Sequence, residues 1–580
     1  MFKIFKQLKP KDWGIIFILL IFVIIEVWIE LKIPDYTMKL TQNIANGTIS
    51  QNDTLANGGM MLLCATLSIA CTVVSMLIGA RLASVVAYRL RGQVYDKVSK
   101  FSGNEMRKFS IASLVTRSTN DVTQIQMFFS MGLHILLKAP IMAIWGICKI
   151  SNTSIEWTLA TLICVVCIMV FVSILLAICL PKFKKMQILI DNVNNATREN
   201  VSGIRVVHAF NAEDFHAQKF EKVNSELTNT QLFTIKSMGL LLPIITFFMN
   251  GLTLAIYWIG AILTNNAPTA ERAVVIGNMT AFSQYALMIV LSFMLLVVVF
   301  VMLPRAIVSA RRINEVITSP ISILDGRITT STKEGSIEFC NVNYNVDESN
   351  LSILSNINFT ISPGETVAII GATGAGKTSL IELIPRLIDA SSGEVKVDGV
   401  NVKDYTLSAL NEKIALVSQK ATLFKGKIVD NVAYGIEPEN IDKKKLNQAL
   451  DIALADFVHE FPDDIEHEVA QGGTNFSGGQ KQRLSIARAV YKDAEIIIFD
   501  DSFSALDYKT DKLVRQNLKK FLPNKTILIV AQRIGTIKHA DKIIVLDNGE
   551  IVGIGTHDEL LKNCKIYKEI ALSQLNKEEL

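Results

Sequence analysis

Two stretches of this 580-residue chain place phosphate-binding and metal-binding residue types at a fixed spacing. Gly371, Ala372, Thr373, Gly374, Ala375, Gly376, Lys377 and Thr378 fit GxxxxGK[ST]; they follow the strand-like run Thr-Val-Ala-Ile-Ile at 366–370 and precede a helix-like run at 379–384. In such a loop the glycines let the backbone wrap an anion, and its N–H groups and the positive end of the helix face it. The lysine reaches the β- and γ-phosphates, and the hydroxyl of Thr378 is supplied to Mg2+. Further on, Asn475, Phe476, Ser477, Gly478, Gly479 and Gln480 stand before the helical run Lys-Gln-Arg-Leu-Ser-Ile-Ala-Arg-Ala. That puts a serine and two glycines at a helix start, a second anion site. The apolar strand-like run at 495–499 then ends in Asp500 and Asp501, where a Mg2+-holding carboxylate belongs.

Three motifs in this order resemble the nucleotide-binding domain of ATP-binding cassette (ABC) transporters, with Phe-Ser-Gly-Gly-Gln where that family usually has Leu-Ser-Gly-Gly-Gln. The resemblance covers residues 334–580 and implies an α/β ATPase fold using ATP and Mg2+. In that family two cassettes close head to tail over two ATP molecules, each site combining one chain's phosphate loop with the other's serine-glycine motif. Phe476, Ser477, Gly478, Gly479 and Gln480 thus stand as the signature presented to a partner's site, joined by Asp507 of Ser-Ala-Leu-Asp, which matches a loop that crosses to the other cassette. Gln419, in Leu-Val-Ser-Gln, matches a glutamine that reaches Mg2+ and the attacking water, so the implied metal set is Thr378, Gln419 and Asp500.

Three positions depart from the family pattern. Where a glutamate usually orients and deprotonates water, this chain has Asp501, one methylene shorter and so drawn back from the nucleophile. Where a histidine usually contacts the γ-phosphate, it has Gln532, which hydrogen-bonds but cannot carry positive charge. The usual adenine-stacking aromatic aligns with Val346, so either Tyr344 takes that role or the base is held loosely. The closest resemblance is to the asymmetric half of heterodimeric bacterial multidrug exporters. The partner expected is a different half-transporter carrying the catalytic glutamate and the switch histidine.

The elements positioning these residues do not explain the rest of the chain. Half of the residues are hydrophobic, only 19% are charged and the mean hydropathy is +0.35, so part of the chain lies in a lipid bilayer. A net charge of +4 is too small to argue for nucleic acid. Six candidate spans, at 13–33, 60–83, 129–150, 157–180, 238–264 and 274–303, put both termini on one side. Lys and Arg concentrate after the second, fourth and sixth spans, which places the ATPase and both termini in the cytoplasm of a multi-pass plasma-membrane protein. Six of the eight cysteines fall in the apolar half, as small apolar fillers.

The expected organisation is a basic amphipathic segment at 1–12, an α-helical six-span membrane domain at 13–319, a short linker at 320–333 and the α/β cassette at 334–580. Val85, Tyr88, Leu90, Val94, Val98 and Phe101 recur at helical spacing, so the second span continues out of the membrane as a lever. The intervals 114–122 and 198–210 resemble the two intracellular loops of type IV exporters, with cross-helices expected near 109–114 and 211–215. Glu26 and Glu30, four apart, share one face of the first span and should point inward, either toward cationic amphipathic substrates or into an ion pair with another span. The function this implies is ATP-driven export of hydrophobic or amphipathic compounds. A lipid or peptide exporter, or an ATP-gated channel or regulator on the same fold, stands as the alternative.

Overall fold

The computed structural model describes residues 8–48, 50–151, 153–330, 334–346 and 351–574. The chain divides into two units: one holds the residues up to Lys97 together with Ala112–Ser319, the other holds Val98–Ile111 and everything from Pro320 onward. Of the basic amphipathic segment expected at 1–12, residues 1–7 lie outside the described residues.

In the first unit six helical stretches are long and apolar enough to cross a membrane: Pro10–Ala45, Gln51–Val98, Ile111–Ile150, Ile155–Ser202, Glu213–Asn266 and Arg272–Ile317. Each contains one of the expected spans. Gln51–Val98 is one unbroken helix of 48 residues. At 1.5 Å per residue it is about 72 Å long, more than twice the roughly 30 Å hydrocarbon thickness, so the lever is present as a continuous rod. Leu31 separates Pro10–Glu30 from Lys32–Ala45, and two π-helical turns, Arg117–Asp121 and Phe128–Gly132, interrupt the third stretch.

Both cross-helices lie N-terminal to the places expected for them. The first is Gly103–Lys108, inside the second unit, and the second is Ile204–Ala209. Ser102 caps the first and closes a capping box with Glu105. Phe109, at the expected start, instead ends that helix and stacks on Phe101 at 5.8 Å.

Twelve strands of the second unit are described: β1 Ile337–Val346, β2 Leu351–Ile361, β3 Thr366–Gly371, β4 Ser392–Val397, β5 Val400–Asn401, β6 Ile414–Val417, β7 Gly426–Lys427, β8 Glu468–Val469, β9 Ile496–Asp500, β10 Thr526–Val530, β11 Lys542–Asp547 and β12 Glu550–Gly555. They form an antiparallel sheet β2-β1-β4-β5, a mainly parallel sheet β12-β11-β3-β10-β9-β6 and the small pair β7-β8. The parallel strands are β-branched and apolar on both faces because both faces are covered. Val367 and Ile369 of β3 enter one core with Ile496, Ile498, Leu528 and Val530, while Ala368 and Ile370 enter the other with Ile497, Phe499, Ile527 and Ile529. The expected linker is bonded to the cassette: the N–H groups of Arg327 and Ile328 both donate to the carbonyl of Asp404, at 2.7 and 2.8 Å.

Candidate nucleotide site

The order of the parallel sheet assembles the site. β3, β10, β9 and β6 are neighbours, and the segments leaving their C-terminal ends carry the phosphate loop, Gln532, the Asp500–Asp501 pair and Gln419 in that order. Loops at the carboxyl ends of parallel strands are where such sheets bind ligands. Residues 31, 82 and 122 positions apart in sequence are thereby placed within hydrogen-bond reach of one another.

After β3 the chain turns through Gly374 and Gly376, at φ +87° and +94°, a left-handed conformation that side chains disfavour. At Gly376 a Cβ would also meet the Leu354 side chain at 2.8 Å. The Lys377–Glu382 helix follows. The Lys377 ammonium is buried and donates to the carbonyls of Gly371 and Ala372, at 2.8 and 2.7 Å. Burial lowers its pKa against the opposing pull of Asp501 and Asp500. A cation held by two carbonyls in a glycine loop suits an incoming polyphosphate, whose oxygens replace those carbonyls.

The Thr378 hydroxyl lies 3.4 and 3.3 Å from the two carboxylate oxygens of Asp500. Burial pushes the Asp500 pKa up and the neighbouring Asp501 adds to that, while Thr378 and Lys377 oppose it. A buried carboxylate beside a hydroxyl fits Mg2+, which takes one or two protein ligands and completes its octahedron with phosphate oxygens and water. Among the described residues no group of three or more His, Cys, Asp or Glu could hold a metal by itself. When bound, Mg2+ would neutralise charge on the phosphates.

Asp501 holds a left-handed backbone, φ +45°, with its N–H donating to the Val530 carbonyl at 2.9 Å. Two amides converge on a single oxygen of its carboxylate: Nε2 of Gln419 and Nε2 of Gln532 each lie 3.2 Å from Oδ2. Burial raises the Asp501 pKa, against the Gln419 bond and the Lys377 and Arg533 charges. The structure thus joins Thr378 to Asp500 and, separately, Gln419 and Gln532 to Asp501. Gln419 is bonded to the short carboxylate and not to the Thr378–Asp500 pair.

Two sequence expectations, on Tyr344 and on Phe476, are corrected here. Tyr344 offers no face for adenine: its ring is 2% exposed within the core, its hydroxyl accepts from Arg107 at 3.4 Å, and the register shift of β1 beyond Phe339 turns it inward. Phe476 does not belong to the presented signature, because it is buried against Phe461 at 5.9 Å and Phe457 at 6.3 Å. It anchors the motif, while Ser477 and Gly478 stay exposed. Ser477 caps the Gly478–Lys492 helix through a capping box with Gln480, and Gly479 lies beside the carbonyl of Ala505. Asp507 spends its carboxylate on capping its own helix, Tyr508–Phe521, through the N–H groups of Lys509 and Thr510.

Glu26 and Glu30 form an ion cluster. The Lys138 ammonium lies 2.7 Å from Glu26 and 2.8 Å from Glu30; Thr72 donates to Glu26 at 2.9 Å, Ser68 to Glu30 at 3.2 Å, and His134 lies 3.1 Å from Glu26. Glu26 has no exposed surface. Low dielectric makes an unpaired charge so costly that partners on two other spans are recruited. Sequence reading missed Arg107, which faces both Tyr344 and the half-buried Glu382 of the phosphate-loop helix. It also missed Gln574, bonded to the backbone around Gln532. The capping box of Ser102 and Glu105 could have located the Arg107 helix; Gln574 lacks any motif.

Comparison with known proteins agrees with this geometry. Residues 354–504 match the family model described as ABC transporter, and residues 16–291 match ABC transporter transmembrane region. The chain is 36% identical over 547 residues, 93% of each chain, to an uncharacterized ABC transporter ATP-binding protein of Mycobacterium tuberculosis. It is 35% identical over 388 residues to an ATP-dependent lipid A-core flippase of Burkholderia orbicola, covering 67% of this chain and 64% of that one. The structure of a bacterial Atm1-family ABC exporter with ATP bound superposes with a TM-score of 0.80 at 21% identity, over 97% of this chain and 99% of that chain.

Proposed function

The chain belongs to the ABC transporter family, a membrane domain followed by an ATP-binding cassette, and from that premise we propose that it is the weakly hydrolytic half of a heterodimeric exporter. The observation that carries this reading is the convergence of Gln419 and Gln532 on Oδ2 of Asp501. A general base must lie within hydrogen-bond reach of the proton it takes from the attacking water. This carboxylate is one methylene short and held back by two neutral donors. ATP is bound by Lys377, Thr378 and Asp500, with Mg2+ held at the last two, and is retained longer than it is turned over. The exposed Ser477 and Gly478 complete the site of a different chain whose own residues include the catalytic glutamate and histidine. Both termini and the ATPase lie on the cytoplasmic side.

Hydrophobic or amphipathic compounds are the proposed cargo. A pocket of about 320 Å³ lies among the fourth, fifth and sixth spans, lined entirely by apolar side chains that include Met169, Met238, Met294, Met302 and Phe293. Four flexible thioethers adapt to ligands of different shape. The flippase relative favours a second reading in which the cargo is a lipid. Inside-out vesicles containing the chain and its partner separate these readings. Accumulation of a hydrophobic dye against its gradient on ATP addition supports the first, and lipid translocation without dye uptake supports the second. Mere dissipation of a gradient would mark a channel.

A further inference from the structure

The last described helix, Lys565–Gln574, carries Tyr567, Ala571 and Gln574 at i, i+4 and i+7, one face of a helix. Tyr567 and Ala571 are fully buried, and the Tyr567 hydroxyl lies 2.7 Å from Nδ1 of His557, so the face is fixed against the cassette. At its end the Gln574 carboxamide makes two bonds. Its Nε2 donates to the carbonyl of Gln532 at 2.7 Å, and its Oε1 accepts from the N–H of Ile534 at 2.8 Å. The two bonds straddle Arg533. They also supply what the sequence there does not, because Ile534 opens the short helix Ile534–Ile537 and Arg533 before it provides no side-chain cap.

We propose that Gln574 is a positioning residue for Gln532, setting the amide that faces Asp501 from the C-terminal helix. The inference rests on the reading of Gln532 as the residue at the γ-phosphate position. β10 fixes the chain only as far as Ala531, whose N–H donates to the Ile369 carbonyl at 3.1 Å. Beyond it the Gln532 backbone is held by Gln574 on one side, and its side chain is held by Asp501 on the other. The pocket of about 310 Å³ beside Asp501 is lined by Ser504, Gln532, Arg533 and Gln574 among others, so the clamp forms part of its wall. Releasing the clamp frees the Gln532 amide to leave Asp501.

The test is dissociation of radiolabelled ATP from the full chain purified with its partner, comparing Gln574→Met, which keeps length and loses both bonds, with Gln532→Ala and the double variant. Leu572→Ala, at an exposed position of the same helix, is the control. Faster release in Gln574→Met is expected, with roughly tenfold as the ceiling if the whole worth of the two bonds reaches the nucleotide site. The double variant should release ATP no faster than Gln532→Ala alone, because Gln574 acts through Gln532. The thermal midpoint should fall below that of Leu572→Ala by the worth of the two lost bonds, so release is compared at a temperature where every variant is folded. Unchanged release in Gln574→Met, or additive effects in the double variant, overturns the proposal. If Gln532→Ala itself leaves release unchanged, the γ-phosphate reading of Gln532 falls and this inference falls with it.

Discussion

The side-chain amide of Gln532 donates to Oδ2 of Asp501 at 3.2 Å. A histidine there would carry charge and a glutamate would reach further. The present pair does neither, so the deficiency is shared between two positions on neighbouring strands. Asp501→Glu alone should therefore restore little hydrolysis at this site, and Asp501→Glu with Gln532→His about a hundredfold more, the low end of what a positioned general base contributes. Single-turnover hydrolysis measures both. A fully competent site from the single change would show that Gln532 has no part in the defect.

The ion cluster of the first three spans predicts an asymmetric response. Lys138→Met leaves the carboxylates of Glu26 and Glu30 facing each other with Glu26 fully buried. Removing one partner from a buried pair costs about 3 kcal/mol or more. Glu30→Gln leaves Lys138 matched to Glu26 and should cost less than about 1 kcal/mol, since its side chain is partly exposed. Thermal unfolding in detergent compares them, and equal losses would contradict this account of the cluster.

Glu105 gives a pH dependence with a definite sign. Burial raises its pKa, but bonds from Ser102 and from the N–H of Ser322, at 3.0 Å, outweigh that and hold it below its ordinary 4.5. A depressed carboxyl contributes stability that is complete above the unfolded value and is lost as pH falls through the lower folded one. Amide protection factors in residues 98–111, taken relative to the intrinsic rate at each pH, should fall on acidification below about pH 4.5, and Glu105→Gln should show the lower protection already at pH 6. A pH-independent difference of zero between wild type and variant would remove Glu105 from this role.

How much of this was legible depended on whether a residue's job is written in local pattern. The loop at 371–378 was readable because phosphate binding demands glycines and a lysine at set spacing, and the six spans because lipid demands length and apolarity. Tyr344 was misplaced because both faces of β1 are not equal: Phe339, Val342 and Tyr344 all enter the core, and register shifts in its pairing with β2 hide the alternation. Glu26 and Glu30 could be placed on one face, but their partner Lys138 lies more than a hundred residues away. Gln574 was invisible for the same reason, since a carboxamide on a helix says nothing of the backbone it touches.

The asymmetry proposed for the two ATP sites predicts unequal effects of mutation in the complex. Ser477→Arg, at the exposed cap of Gly478–Lys492, should nearly abolish ATPase because it spoils the partner's competent site. Lys377→Ala should reduce it less, because it spoils a site that turns over slowly in any case. Steady-state ATPase of the two variants decides this, and the reverse order would place the competent site on this chain.

The central claim is that this chain alone lacks an efficient hydrolytic centre, since two copies would each bring Asp501 and Gln532. Steady-state ATPase of the chain purified without any second polypeptide, in lipid nanodiscs with a hydrophobic dye present, tests it most directly. The account predicts slow, dye-insensitive turnover that rises at least about tenfold when a half-transporter carrying the glutamate and the histidine is supplied. Fast, dye-stimulated turnover by the chain alone would contradict it and make the protein a homodimeric exporter.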